Sequence, residues 1–429
     1  MGLRSKIKRL IEKIEDRIEG SEEHETEVDR KVFAHYIVGL TCHQAVEQWS
    51  HDVKTAKEAG IDGFALNIGP SDPWTETQLC HAYHEAEQVG DFVVFLSFDM
   101  ACGNWSVEQV TDLINRFKDS SAQFKVDRKT FVSTFEGPDW ADNWADVRAH
   151  TGDIYLVPDW SSLGPYGIGE KLDLIDGAFS WDAWPKAGQT QMNINEDLLY
   201  RDNLQGKKYM MGVSPCFYTN LPQWNKNWYS SSESLWHDRW QQVLDVMPDF
   251  VQIITWNDFG ESSYISDIIP AQVVEGAEEY VNGYSHTALR AVLPYFIAAY
   301  KAGSRVVEFT GEDTAIAWYR TTPASAGGGC ETTWGQGGSS LATQGARDVI
   351  SVLVLAKVPT TVTVAIGSRW KSFGTRIDSP LSYFEIPFDA NSTGLVTIAM
   401  NGKTSEGPAI TSECLEGTKM HFNAVAIRV

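Results

Sequence analysis

No apolar run in this 429-residue chain approaches the roughly 20 residues that a helix needs to cross a bilayer. Positive charge is scarce: 35 Lys and Arg stand against 57 Asp and Glu, a formal net charge of −22. A field of that sign repels phosphate backbones and anionic headgroups, so neither nucleic acid nor a membrane surface is an expected partner. Cysteine is sparse as well. Cys42, Cys80, Cys102, Cys216, Cys330 and Cys414 are widely scattered, with no CxxC pair and no zinc spacing. Reduced thiols are the default, with Cys330 and Cys414 the one candidate pair because both fall in the C-terminal region. His81 and His84 sit three apart on a predicted helix, but no further ligand set accompanies them, so no metal and no cofactor is expected. The first thirty residues lack the uninterrupted apolar stretch of a secretory signal. Leu3, Ile7, Leu10, Ile11, Ile14 and Ile18 recur at helical spacing with charged residues filling the gaps. Residues 1–30 therefore read as a charged amphipathic helix and linker, and the expected location is cytoplasmic until release or non-classical secretion.

Aromatic residues are plentiful: 16 Trp, 15 Tyr and 19 Phe, within a hydrophobic fraction of 43% and a charged fraction of 21%. That composition is globular and argues against disorder. The aromatic load exceeds what a core of this size normally needs.

From residue 32 one theme repeats: a short β-branched and aromatic run, then polar or aromatic residues, then a helical stretch. The runs are 32–38, 63–68, 92–98, 130–135, 154–158, 177–181, 209–213 and 250–256. Several are near-continuously apolar, as strands of a parallel sheet covered on both faces are. Between them, Thr75-x-x-Gln78 and Ser106-x-x-Gln109 read as capping boxes, and a helical pattern at 45–59 ends at Gly60. Eight such units predict an α/β fold, a (β/α)8 TIM barrel over 31–303 closed by a last helix at 286–303. An open doubly wound sheet is the competitor, but no GxGxxG or Walker loop follows any run. Beyond 304 the composition changes to short alternating strands at 348–355, 360–366, 383–388, 395–400 and 425–429, a small C-terminal β-sandwich. Trp318 and Tyr319 mark its first strand, which makes the Gly- and Ser-rich stretch 324–345 a long loop inside it.

In a (β/α)8 barrel, chemistry gathers at the C-terminal ends of the strands. Those ends carry Asn67, Asp72 and Trp74; Asp99; Glu136; Asp159 and Trp160; Trp181, Asp182 and Trp184; Tyr218; and Trp256, Asn257, Asp258 and Glu261. A carboxylate beside an indole recurs, which suits a sugar site: flat faces for pyranose rings and carboxylates to move protons. Asp258 and Glu261 are the leading catalytic pair, since a path of three residues spans up to roughly 10 Å and both side chains reach one cleft. Inverting glycosidases set their two carboxyl groups about 6.5–9.5 Å apart and retaining ones about 5–5.5 Å, a choice the sequence leaves open. The structural alternative is a loop cap at Asp258 and an ion pair from Glu261 to an arginine such as Arg239. Asp99 and Glu136 are the next candidates for the cleft, with Asp159 and Asp182 holding sugar hydroxyls.

The strings VFAHYIVG, GIDGFALNIGPSDPWT, FLSFDMA, VPDWSSLGP, IDGAFSWDAWP, GVSPCFYTNLP, KNWY, WQQVL and PDFVQIITWNDFGES, in this order, closely resemble fungal endo-α-1,3-glucanases, the mutanases of glycoside hydrolase family 71. The resemblance implies a barrel with a β-sandwich and hydrolysis of α-1,3-glucan with inversion. It also implies essential carboxylates at Asp258 and Glu261, with Asp99 as a third. Without a signal peptide, the chain resembles most the fission-yeast-type members that act on the spore-sac wall. A similar W-N-acidic-aromatic-x-Glu string closes the barrel of endo-mannosidase family 99, where the last Glu is the general acid. By that analogy Glu261 is the acid and Asp258 the base or the group that positions the water. One of the two needs a raised pKa, from burial among Trp181, Trp256 and Phe259 and from its neighbour's charge. The expected partner is the α-1,3-glucan polysaccharide, bound by a monomer. A wall-binding protein without activity and an endo-glycosidase of other linkage are the alternatives.

Overall fold

The eight apolar runs form eight parallel strands: β1 (Lys31–Ile37), β2 (Gly63–Ile68), β3 (Val93–Asp99), β4 (Lys129–Phe135), β5 (Ile154–Leu156), β6 (Gly177–Ser180), β7 (Lys208–Val213) and β8 (Phe250–Ile253). The computed structural model describes residues 29–326, 331–376, 379–412 and 420–429. The helix expected before residue 29, and Cys330 and Cys414, lie outside them; Cys42, Cys80, Cys102 and Cys216 are free thiols. Consecutive strands pair in parallel from β1 to β5 and from β6 to β8, and β8 pairs with β1, so the sheet curls back on itself. Asp159, just past β5, bridges to Phe135 of β4 and to Phe179 of β6. This order runs against the doubly wound alternative, whose sheet reverses direction in mid-course.

Alternation along each strand explains why the runs read as continuously apolar. On β1, Val32, Ala34 and Tyr36 face the cluster shared with the helices, while Phe33 faces an inner cluster with Phe95, Phe131, Phe179 and Phe250. Those inner rings pack edge to face, Phe33 on Phe95 at 4.9 Å and Phe95 on Phe131 at 4.7 Å. Toward the C-terminal ends the same parity turns polar: Phe33 gives way to His35, Ala65 to Asn67, and Phe95 to Ser97 and Asp99. A packed floor thus opens into a polar cleft at one end of the sheet.

The helices lie where the patterns place them, with corrections at their ends. Val46–Glu58 stops before Gly60, whose φ of +87° ends the turn without the penalty of a Cβ. Ser106 caps Val107–Phe117 with both bonds of a capping box, Gln109 N–H to Ser106 Oγ at 3.1 Å and Ser106 N–H to Gln109 Oε1 at 3.0 Å. Ser106→Ala is expected to destabilise the protein by about 1 kcal/mol, read as a lower midpoint in urea unfolding. Thr75 forms no such box. It is the first residue of Thr75–Val89, and Gln78 is drawn inward, accepting from Trp49 Nε1 at 2.7 Å and donating to the Gln44 carbonyl at 3.1 Å. Tertiary partners for Gln78 outcompete the local cap. The last helix divides into a 3-10 turn, Thr287–Val292, and an α-helix, Leu293–Lys301. The division falls where Pro294 has no N–H to continue the turn. None of the helices among the described residues is long and apolar enough to cross a membrane.

After residue 304 come two four-stranded antiparallel sheets. One holds Leu381–Pro387, Val349–Leu355, Thr314–Tyr319 and Val425–Arg428; the other holds Arg369–Gly374, Thr361–Ile366, Gly394–Met400 and Lys403–Ile410. Ala317, Tyr319, Val352 and Val354 share an apolar cluster with Val362, Val364, Val396 and Ile398 of the second sheet. The alternate residues Ile316, Trp318, Leu353 and Leu355 join the cluster around the parallel sheet. Arg369–Gly374 and Lys403–Ile410 escape the sequence reading because they are exposed edge strands without apolar alternation. Also unforeseen is a hairpin, Phe217–Leu221 and Lys226–Ser230, inserted between β7 and the helix Leu235–Val246.

Candidate active site

A cavity of about 960 Å³ opens where β1, β2, β3, β4, β6 and β8 end. Asp99, Glu136, Asp182, Asp258 and Glu261 line it, together with His35, Asn67, Trp181, Trp184, Lys226 and Trp228. A smaller cavity of about 390 Å³ beside Asp139 and Trp140 adjoins it at Ser162.

Asp258 and Glu261 lie on the turn after β8. The Asp258 amide donates to Thr255 Oγ1 at 2.8 Å, and the Glu261 amide donates to Asp258 Oδ1 at 2.9 Å. Lys226, from the inserted hairpin, donates to Glu261 Oε1 at 2.6 Å. Burial pushes the Asp258 carboxyl up to about 7; the negative charge of Glu261 adds to this, and Lys226 opposes it. Burial works against the Lys226 charge, but Glu261, Asp258 and Asp99 together hold its pKa above the ordinary lysine value. Asp99 is also raised, chiefly by burial, although its Oδ1 accepts from the Ala101 and Cys102 amides at 3.0 Å each. One ammonium therefore stands among three carboxylates.

An aromatic wall runs along one side. Trp181 meets Trp184 at 6.4 Å, Trp184 meets Phe217 at 4.9 Å, and Phe217 stacks on Trp228 at 5.4 Å, 10° from parallel. Trp184 Nε1 is tied to the Cys216 carbonyl at 3.0 Å. His35, buried and held near pKa 3 by that burial, is a neutral ring set edge-on to Trp181 at 4.9 Å.

The remaining residues expected at the cleft lie behind it. Asp159 is fully buried and its carboxyl is pushed up to about 8 by burial; Ser161 N–H and Oγ serve it, and it links strands rather than touching the cavity. Trp160 and Trp256 are core side chains, 0% and 1% exposed, and Tyr218 is turned into a second cluster with Tyr229, Phe259 and Tyr280. Asn257 fastens β1 to β8, accepting from Ile37 N–H at 2.8 Å and donating to the Ile37 carbonyl at 3.1 Å. Asp72 and Trp74 are half-buried outside the lining, Trp74 bonded to the Val38 carbonyl at 3.3 Å. Asp72 apart, these side chains complete the packing of the strand ends, and spacing alone does not tell that use from a cleft position. Arg239 does not meet Glu261; it pairs with Asp197 at 2.7 Å, both side chains buried. Lys226 gave no strand-end signal because its hairpin is an insertion, whereas Trp228 on the same hairpin is one of the aromatic residues that follow the seventh run. His35 had one, sharing the parity of Phe33.

A polar groove with indole platforms and paired carboxylates, set at the C-terminal ends of parallel strands, supports the hydrolysis of glycosidic bonds. That places the chain among the glycoside hydrolases. It belongs to glycosyl hydrolase family 71, whose model matches residues 28–429. A glucan endo-1,3-α-glucosidase of Schizosaccharomyces pombe is 38% identical over 404 residues, 90% of this chain and 92% of that protein. A mutanase of Penicillium rubens is 35% identical over 348 residues, 80% of this chain and 76% of that protein. An ascus wall endo-1,3-α-glucanase of Schizosaccharomyces pombe is 28% identical over 402 residues, 88% of this chain and 91% of that protein.

Proposed function

We propose that this chain is an endo-acting hydrolase of cell-wall α-1,3-glucan that works by an inverting displacement, with Asp258 as general acid and Glu261 as general base. The observation that carries the assignment is the Lys226 ion pair on Glu261 beside a buried Asp258 whose pKa lies near 7. The leaving oxygen needs a proton as its bond to C1 breaks, and Asp258 holds one below about pH 7. Glu261, with Lys226 as counter-ion, takes a proton from water as that water's oxygen bonds to C1 from the opposite face. One C–O bond forms, one breaks, and the anomeric configuration inverts. The roles are the reverse of those the family 99 analogy favours, because the lysine that distinguishes the two carboxylates comes from outside the W-N-D-F-G-E string. Asp99, facing the same ammonium, completes the cluster. Trp181, Trp184 and Trp228 offer faces for successive glucose rings, and Asn67, Glu136 and Asp182 offer polar contacts to their hydroxyls. The α-1,3 linkage follows from the names of the relatives rather than from any single contact.

The same reading includes a complete (β/α)8 barrel over 31–303 and a β-sandwich over 304–429. The bridges from Asp159 to both neighbouring strands support closure, and the apolar cluster common to the two antiparallel sheets supports the sandwich.

The test is release of reducing ends from alkali-extracted α-1,3-glucan, with starch and β-1,3-glucan in parallel and Glu261→Gln as control. Release from α-1,3-glucan alone, lowered about 10²–10⁴-fold in the variant, is the expected result. Retention on α-1,3-glucan without release would instead make the chain a binding protein.

A further inference from the structure

The Gly-rich stretch that reads as a loop of the C-terminal region returns to the cleft. Thr333–Trp334 adds a parallel strand to the edge of Lys226–Ser230, the strand that carries Lys226 and Trp228. Gly335 N–H donates to the Tyr229 carbonyl at 2.7 Å, Thr332 Oγ1 to Asn227 Oδ1 at 2.8 Å, and Trp334 Nε1 to Ser231 Oγ at 3.0 Å. Ser231 Oγ in turn donates to the Gly345 carbonyl at 3.0 Å. Both glycines are sterically required. A Cβ on Gly345 would lie 2.0 Å from the Trp334 ring, and one on Gly335 would lie 2.4 Å from the Ala187 Cα, at a φ of +82°. The tip turns on Gly335 and on Gly337, at φ +68°, and Trp334 N–H closes it on the Ser340 carbonyl at 2.8 Å. Between those two glycines stands Gln336, exposed, lining the main cavity, and without a hydrogen-bond partner among the described residues.

We propose that this strap is a wall of the substrate cleft and that Gln336 is a specificity-determining residue, its amide binding the hydroxyls of a glucose unit that rests on Trp228. An amide offers both a donor and an acceptor, which suits adjacent sugar hydroxyls, and Trp228 is a firm platform because Phe217 backs it. An exposed glutamine on a free loop is ordinarily solvated and idle. This one sits on a loop tied down by backbone pairing, by the packing of Gly335 on Ala187 and by a buried contact at Gly345. The C-terminal region therefore takes part in recognising substrate, and the cleft is incomplete without it.

The inference rests on the α-1,3-glucanase reading, and one kinetic series separates the two. Wild type and Gln336→Ala are compared on a ladder of reduced-end-labelled α-1,3-gluco-oligosaccharides, with thermal unfolding as the check on folding. The expected result is an unchanged unfolding temperature and kcat. KM rises about 2–10-fold, the worth of one neutral hydrogen bond, on the oligosaccharides long enough to reach Gln336. Equal KM values on every length, from a wild type that cleaves the ladder, overturn the role of Gln336 and leave the glucanase reading intact. A wild type that cleaves no member of the ladder overturns both.

Discussion

Asp258→Asn is expected to lower kcat on α-1,3-glucan by about 10²–10⁴-fold, the usual worth of a positioned proton donor. An amide keeps the size of the side chain but has no proton to give the departing oxygen. The pH profile carries the sharper test. Because the Asp258 carboxyl sits near 7, wild-type activity falls as pH rises through that value and the acid is lost; the residual activity of the variant lacks that limb. Stability moves in the same direction. The folded-state pKa lies above the unfolded value, so Asp258 favours the folded state at low pH, and that contribution is lost as pH rises through about 7. Asn has no charge to bury, so at pH 8 the variant is expected to unfold at higher denaturant than wild type, a gap that closes by about pH 4, near the unfolded carboxylate value. A variant that kept an alkaline limb near pH 7 would return the acid role to Glu261.

Arg239→Met is expected to cost about 3–5 kcal/mol of stability, because it leaves a buried carboxylate unpaired. The Arg239 and Asp197 side chains are 0% and 2% exposed. The guanidinium donates to both Asp197 oxygens at 2.7 and 2.8 Å, to the Gly212 carbonyl at 2.9 Å, to the Asp182 carbonyl at 3.0 Å and to Gln242 Oε1 at 3.0 Å. One side chain thus fastens the helix Leu235–Val246 to β7 and to the backbone of a cleft residue. Denaturant unfolding of Arg239→Met against the double variant Arg239→Met/Asp197→Leu separates the causes. The double variant should regain part of the loss, since removing both charges avoids the unpaired one. A single variant within about 0.5 kcal/mol of wild type would show that the pair is not needed for the fold.

The use of tryptophan shows how far strand-end reading goes. Trp49, Trp105, Trp144, Trp160, Trp236, Trp240, Trp256 and Trp318, half of the 16, are buried in the core. Trp181, Trp184 and Trp228 line the cleft. Trp160 and Trp184 each follow a strand and an aspartate, yet one packs inward and the other lines the cleft. Rotation of the chain after the strand decides between them, and no local pattern encodes it.

What the sequence determined by itself is what short-range physics controls. Near-continuous apolar runs set eight parallel strands and their order, the Ser106 box set a helix start, and the three residues from Asp258 to Glu261 brought both carboxylates to one turn. The tertiary structure decided what depends on residues far apart in the chain. Lys226 reaches Glu261 from 35 positions away, and Gln336 reaches the cleft from 75 positions beyond Glu261. The charge state of a carboxylate depends on the nearest ammonium and on the water excluded around it, and both are properties of three-dimensional neighbours rather than of the residues beside it in the chain.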